Sequence, residues 1–109
     1  MKYVVLKTAD FTNWLAELKN RQACLRILTR INAAEDGNFG DHKILPGTGG
    51  LSEMRINCGP GYRVYYGRIE RKIYLLISGG DKTTQDADIS RAKVAWKRIK
   101  EEGYADGKD

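Results

Sequence analysis

The sequence predicts an α+β fold with elements in the order β-α-α-β-β-β-α. Three observations carry it: apolar residues at helical spacing from Phe11 to Ile31, period-two alternation from Glu53 onward, and a further helical stripe beyond Gly80. The 109 residues fit a single domain spanning 1–109, and a chain of that size buries roughly two-thirds of the surface its unfolded form exposes. With 41% hydrophobic and 30% charged residues, the composition is that of a globular protein and excludes a fibre or a disordered chain.

The first strand is the β-branched and aromatic run Tyr3-Val4-Val5-Leu6, which stops at Lys7-Thr8, where a helix N-cap can begin. Phe11, Trp14, Leu15 and Leu18 recur at i, i+3, i+4 and i+7 and so line one helical face, leaving Asn13, Glu17 and Lys19 outside it. A second helix follows Asn20. Cys24, Ile27, Leu28 and Ile31 repeat the spacing, while Arg21, Arg26 and Arg30 fall on other faces and read as solvated. The two helices are expected to form a hairpin. Residues 36–50 hold five glycines and Pro46 and read as an extended loop; with no Lys before Ser or Thr, it is not a phosphate-binding P-loop.

From Glu53 the side chains alternate, with Met54 and Ile56 on one side and Glu53, Arg55 and Asn57 on the other. Cys58-Gly59-Pro60-Gly61 supplies a turn, after which Tyr62, Val64 and Tyr66 alternate with Arg63, Tyr65 and Gly67. Residues 73–77 are apolar on both faces, as a doubly covered inner strand requires. The last helix starts at Thr83, where Asp86 completes something like a capping box, and carries the stripe Ile89, Ala92, Trp96 and Ile99. Glu101-Glu102-Gly103 ends it, and residues 105–109 are expected to fray.

A net charge of +5 favours polyanionic partners, either a nucleic-acid backbone or an acidic protein surface. The apolar run at 3–6 is too short for a signal peptide or a membrane span, so a cytoplasmic protein is expected. Cys24 and Cys58 lack CxxC or Cys/His ligand spacing and read as reduced structural thiols; no metal site and no cofactor is implied.

Strand register decides which polar residues meet. Pairing Asn57 with Gly61 sets Arg55 opposite Arg63 and Glu53 opposite Tyr65, and keeps Met54, Ile56, Tyr62 and Val64 together on the core side. A shift by one residue would drive Arg63 under the helices. Two facing arginines repel by up to about 1 kcal/mol, so an anion is expected nearby: Glu53 from within, or a phosphate held bidentately from outside. Tyr65, with a ring and a hydroxyl, and Lys82, with a charge and a transferable proton, could complete such a site. The bland alternative is a solvated sheet face with an Arg/Glu ion pair. His42 is the sole histidine and sits in the loop, so paired-imidazole chemistry is excluded. Trp14 and Trp96 read as core, and Lys93, Lys97, Arg98 and Lys100 as a solvated helix face.

Taken in order, Trp14-Leu15, Gly37-Asn38-Phe39-Gly40-Asp41, Leu51-Ser52-Glu53-Met54-Arg55-Ile56, Gly59-Pro60-Gly61-Tyr62-Arg63-Val64-Tyr65-Tyr66, Leu75-Leu76-Ile77, Gly80-Asp81-Lys82, Thr84-Gln85, Asp88-Ile89 and Ala92 resemble the RelE/ParE toxins. The branch they resemble is the phage-derived, HigB-like one, the addiction-module killer proteins, and the match covers nearly the whole chain. The resemblance implies a RelE-like fold: a curved antiparallel sheet of about four strands against an N-terminal helical hairpin, with a C-terminal helix. It also implies a type II toxin–antitoxin module. The partners would then be a cognate helix-turn-helix antitoxin, through which alone operator DNA is bound, and mRNA in the 30S A site of the ribosome.

RelE-type members inhibit translation as endoribonucleases (mRNA interferases), with the 2′-OH attacking the adjacent phosphate. By that resemblance Arg55 and Arg63 stabilise phosphate, Lys82 stabilises charge or protonates the leaving oxygen, Tyr65 stacks on or orients a base, and Glu53 is the nearby base. The chain departs from the best-known ribonuclease members in running from Lys82 directly into a helix, where they carry a tail with Arg and a Val-Tyr pair. The alternatives are a ParE-like inhibitor of DNA gyrase without nuclease activity and a non-toxic basic RNA-binding module.

Overall fold

A computed structural model describes residues 2–104; the fraying expected at 105–109 lies outside the described residues. Strand β1 (Val4–Lys7) leads into helices α1 (Ala9–Glu17) and α2 (Arg21–Glu35), followed by β2 (His42–Ile44), β3 (Ser52–Ile56), β4 (Tyr62–Glu70) and β5 (Ile73–Asp81). A 3₁₀ turn (Lys82–Thr84) then runs into α3 (Gln85–Glu102). The five strands form one sheet in the order β1-β5-β4-β3-β2. Its pairs are antiparallel except for β1, which lies parallel to β5. The α+β order is therefore the expected one, with an extra edge strand in the glycine-rich segment.

The cap foreseen at Thr8 forms, and Asn20, after which the second helix was expected, caps that helix. The Thr8 hydroxyl accepts the Phe11 amide at 3.0 Å and donates to the Ile77 carbonyl at 2.6 Å, which ties the start of α1 to β5. The Asn20 side chain accepts the Ala23 amide at 3.1 Å. Phe11, Ala23, Ile27, Ile31 and Ala34 close over Met54, Ile56, Val64, Tyr66 and Leu76. The buried stripe of α2 is thus rotated from the expected one. Leu28 faces outward, and Arg30, read as solvated, ties three segments by donating to the carbonyls of Arg55 (2.6 Å), Phe39 (2.9 Å) and Asp41 (3.2 Å). Its five donors in a rigid fork suit that task.

The opposite face is covered by α3. Ala92 and Trp96 pack on Leu45, Leu51, Tyr65, Leu75 and Ile77, so β5 is buried on both sides as its composition demands. Alternation puts Leu75 and Ile77 on one side and Leu76 on the other, and a bulge follows: Tyr65 pairs with Ser78 and Tyr66 with Leu76, leaving Ile77 as the extra residue. Close approach accounts for two glycines. A Cβ at Gly67 would collide with the Trp96 ring, and one at Gly79 with the Trp14 ring.

The segment read as a loop is fastened rather than free. Leu45 and Thr48 are buried, and the Gly49 carbonyl accepts from Trp96 Nε1 at 2.9 Å and Lys100 Nζ at 2.8 Å. Lys100 therefore departs from the solvated row that Lys93, Lys97 and Arg98 do form. The start of the last helix also differs from expectation. Asp81 caps the preceding 3₁₀ turn, accepting the Thr83 amide at 2.8 Å, while Thr84, at the N-cap of α3, makes no capping bond and donates its hydroxyl to Asp88 at 2.5 Å.

Candidate phosphate-binding site

The β3–β4 hairpin has the register that the alternation favours. Arg55 is opposite Arg63, Glu53 opposite Tyr65, and Met54 and Ile56 opposite Val64 and Tyr62. The hairpin's polar row therefore points to the face that α3 covers. That helix passes over β4 and β5 and leaves the β3–β4 turn open. Beyond its first turn a pocket of about 210 Å³ remains, lined by Asp41, Arg55, Ile56, Asn57, Gly61, Arg63 and Lys82. Three cations from β3, β4 and the end of β5 thus meet around one cavity.

Each cation is held by its own segment, two by strands and Lys82 by the 3₁₀ turn after β5. Arg63 Nη1 donates to the Gly61 carbonyl at 3.0 Å, just before it in the turn. Arg55 Nη2 pairs with Asp41 Oδ1 at 3.0 Å. Lys82 is exposed at the start of the 3₁₀ turn, which Asp81 anchors. The Asp81 carboxyl is held below its ordinary range, first by the Thr83 hydroxyl that donates to it and in smaller part by the Arg63 charge. Among the described residues, the buried Nε atoms of Arg55 and Arg63 have no hydrogen-bond partner.

Two of the five residues foreseen for the site sit elsewhere. Tyr65 has no accessible surface, because its ring lies in the cluster under α3, so it cannot stack on a base in this arrangement. Burial first, then the charges of Glu53 and Asp88, hold its hydroxyl protonated well above the usual tyrosine range. Glu53 is only 2% exposed and accepts a hydrogen bond from Gln85 Nε2 at 3.1 Å. It lines no part of the pocket and does not pair with either arginine, so it is not the counter-ion expected there. The counter-ion of Arg55 is Asp41. Sequence reasoning passed over Asp41 because it lies in the glycine-rich segment, where strand β2 was not foreseen.

Two further side chains come from that segment. Lys43 pairs with Glu53, so register places it on the same sheet face as the arginines. His42 opens β2 instead of lying in a loop, and its exposed ring contacts the Gly40 carbonyl through Nδ1 at 2.8 Å. On the far side of Arg55 a second hollow of about 440 Å³ is lined by Leu25, Arg26, Thr29 and Arg30 and shares the wall of Asp41, Arg55, Ile56 and Asn57. Both cysteines are free, and among the described residues no helix is long and apolar enough to cross a membrane.

No protein-family model matches the chain. It is 43% identical over 94 residues to an uncharacterized protein of Haemophilus influenzae, a match covering 86% of this chain and 93% of that protein. Among solved structures, an arginine-to-alanine double mutant of the E. coli toxin RelE in the free state is similar with a TM-score of 0.71. That likeness covers 91% of this chain and 99% of the RelE chain at 18% identity, so what it shows is a common fold.

Proposed function

The chain belongs to one family with the Haemophilus influenzae protein and has the RelE fold, and from that premise we propose that it is the toxin of a type II toxin–antitoxin pair, a HigB-like endoribonuclease that stops translation by cutting mRNA in the ribosomal A site. The observation that carries this reading is the open pocket into which Arg55, Arg63 and Lys82 converge. Cleavage by a neighbouring 2′-OH demands an oriented hydroxyl, stabilisation of a phosphorane with more negative charge than the ground state, and a proton for the departing oxygen. Guanidinium groups bind phosphate oxygens in pairs through charge-assisted hydrogen bonds, and two arginines already held side by side need no reorganisation to do so. Lys82, exposed at the rim, supplies the third charge or the proton.

The location of the pocket also suits a large substrate. It opens beside the β3–β4 turn, away from both helical layers, and Lys43 extends the positive charge across the face toward β2. A cytoplasmic site of action follows from the substrate. A helix-turn-helix antitoxin would neutralise the protein, and operator DNA would be bound only through that partner.

The test is to induce the wild-type protein and Arg63→Ala in matched cells, map mRNA 5′ ends and assay plasmid supercoiling. New ends inside translated messages, present with wild type and missing with a folded Arg63→Ala, are expected. Growth arrest with relaxed plasmid and no new ends would put a gyrase inhibitor in place of the nuclease. Absence of arrest would leave a non-toxic RNA-binding module.

A further inference from the structure

Asp41 is the one carboxylate among the residues lining the arginine pocket. Its backbone is fixed although it directly follows Gly40: its carbonyl accepts the Arg55 amide at 2.8 Å and Arg30 Nη2 at 3.2 Å. The side chain stands at the mouth of the pocket, 62% exposed, with one oxygen on Arg55 Nη2 at 3.0 Å. A carboxylate has two oxygens and about four lone-pair sites, so that ion pair leaves acceptor capacity free. Glu53, by contrast, is buried and hydrogen-bonded by Gln85 away from the pocket.

We propose that Asp41 is the proton acceptor for the attacking hydroxyl, an assignment that rests on the RNA-cleavage reading above. The 2′-OH proton passes to the Asp41 carboxylate as the 2′-oxygen bonds to phosphorus. The bond from phosphorus to the 5′-oxygen breaks, and that oxygen takes a proton from the Lys82 ammonium. The products are a 2′,3′-cyclic phosphate and a free 5′-hydroxyl, and exchange with solvent returns Asp41 to its charged form and Lys82 to its protonated one. In this scheme the Arg55 contact has a second use, since it keeps the carboxylate beside the phosphate that the same guanidinium binds.

The experiment is single-turnover cleavage of mRNA on programmed ribosomes across a pH series, using wild type, Asp41→Asn, Asp41→Glu and Arg63→Ala. Asp41→Asn is expected to be slower by about a hundredfold or more and to lose the rise in rate with pH on the acid side, while Asp41→Glu recovers part of the rate and keeps that rise. A residue that only orients Arg55 would slow the reaction in Asp41→Asn but leave the rise in place, and that result overturns the assignment. Wild-type rate and profile in Asp41→Asn beside an inactive Arg63→Ala overturns it while the cleavage reading stands. Failure of the wild-type protein to cut ribosome-bound mRNA overturns both. Should Asp41→Asn not fold, Asp41→Ser decides by the same criterion: loss of the acid-side rise supports the assignment, and a rise that persists overturns it.

Discussion

The two faces of this sheet obey the same alternation and end in opposite states. Toward the hairpin, Met54, Ile56, Val64, Tyr66 and Leu76 meet Phe11, Ala23, Ile27 and Ile31 in a closed apolar layer. Toward α3 the character changes along the strands: Tyr65, Leu75 and Ile77 lie under Ala92 and Trp96, while Arg55 and Arg63 stand beyond the helix. Two helices close over the centre of one face, where the buried side chains have only packing to satisfy. A single helix covers part of the other, and charges sit where burial is incomplete, because a buried unpaired charge costs far more than a half-exposed one. The boundary is polar but enclosed, and it holds Glu53, the Tyr65 hydroxyl and Ser78.

That contrast makes separable demands on stability and activity. The largest effect belongs to the closed face. Phe11→Ala removes a ring with no exposure and is expected to cost about 3–5 kcal/mol in urea unfolding, with activity lost through unfolding. Next is Arg63→Ala, expected to lower cleavage by about a hundredfold or more with an unchanged Tm, as for a group that stabilises developing charge. A matching fall in Tm would erase the distinction between the faces.

A smaller effect is expected at the junction between strand and helix. Asp81→Ala removes the cap that positions Lys82 and should cost about 1 kcal/mol at neutral pH. Because the folded carboxyl is held below its ordinary value, the stability it contributes is present above the usual aspartate range and disappears as pH falls through the lowered value. Wild type and variant should therefore converge in acid melts. The smallest change is Tyr65→Phe. Its buried hydroxyl has no partner among the described residues, so the substitution should leave stability unchanged or raise it by up to about 1 kcal/mol, with cleavage intact. A large loss of cleavage would mean that α3 lifts and that Tyr65 works in the exposed state.

What the sequence determined by itself was local. The helix cap at Thr8, the start of α2 after Asn20, the doubly apolar β5 and the register that sets Arg55 against Arg63 were all legible, because capping and alternation depend on neighbours a few residues apart. Tertiary structure decided the rest. Strand β2 has only three residues, all exposed, and owes its pairing to the β3 backbone, so no periodicity announces it. With β2 hidden, Asp41 could not be placed beside Arg55, nor Lys43 on the basic face. The parallel pairing of β1 with β5, and the turning of Arg30 from solvent to three carbonyls, likewise depend on segments far apart in the chain. Tyr65 and Arg63 share a strand face by alternation, but one is sealed and the other open because α3 ends its cover between them. The side a residue faces follows from backbone dihedrals, whereas what covers that side depends on where a distant helix docks.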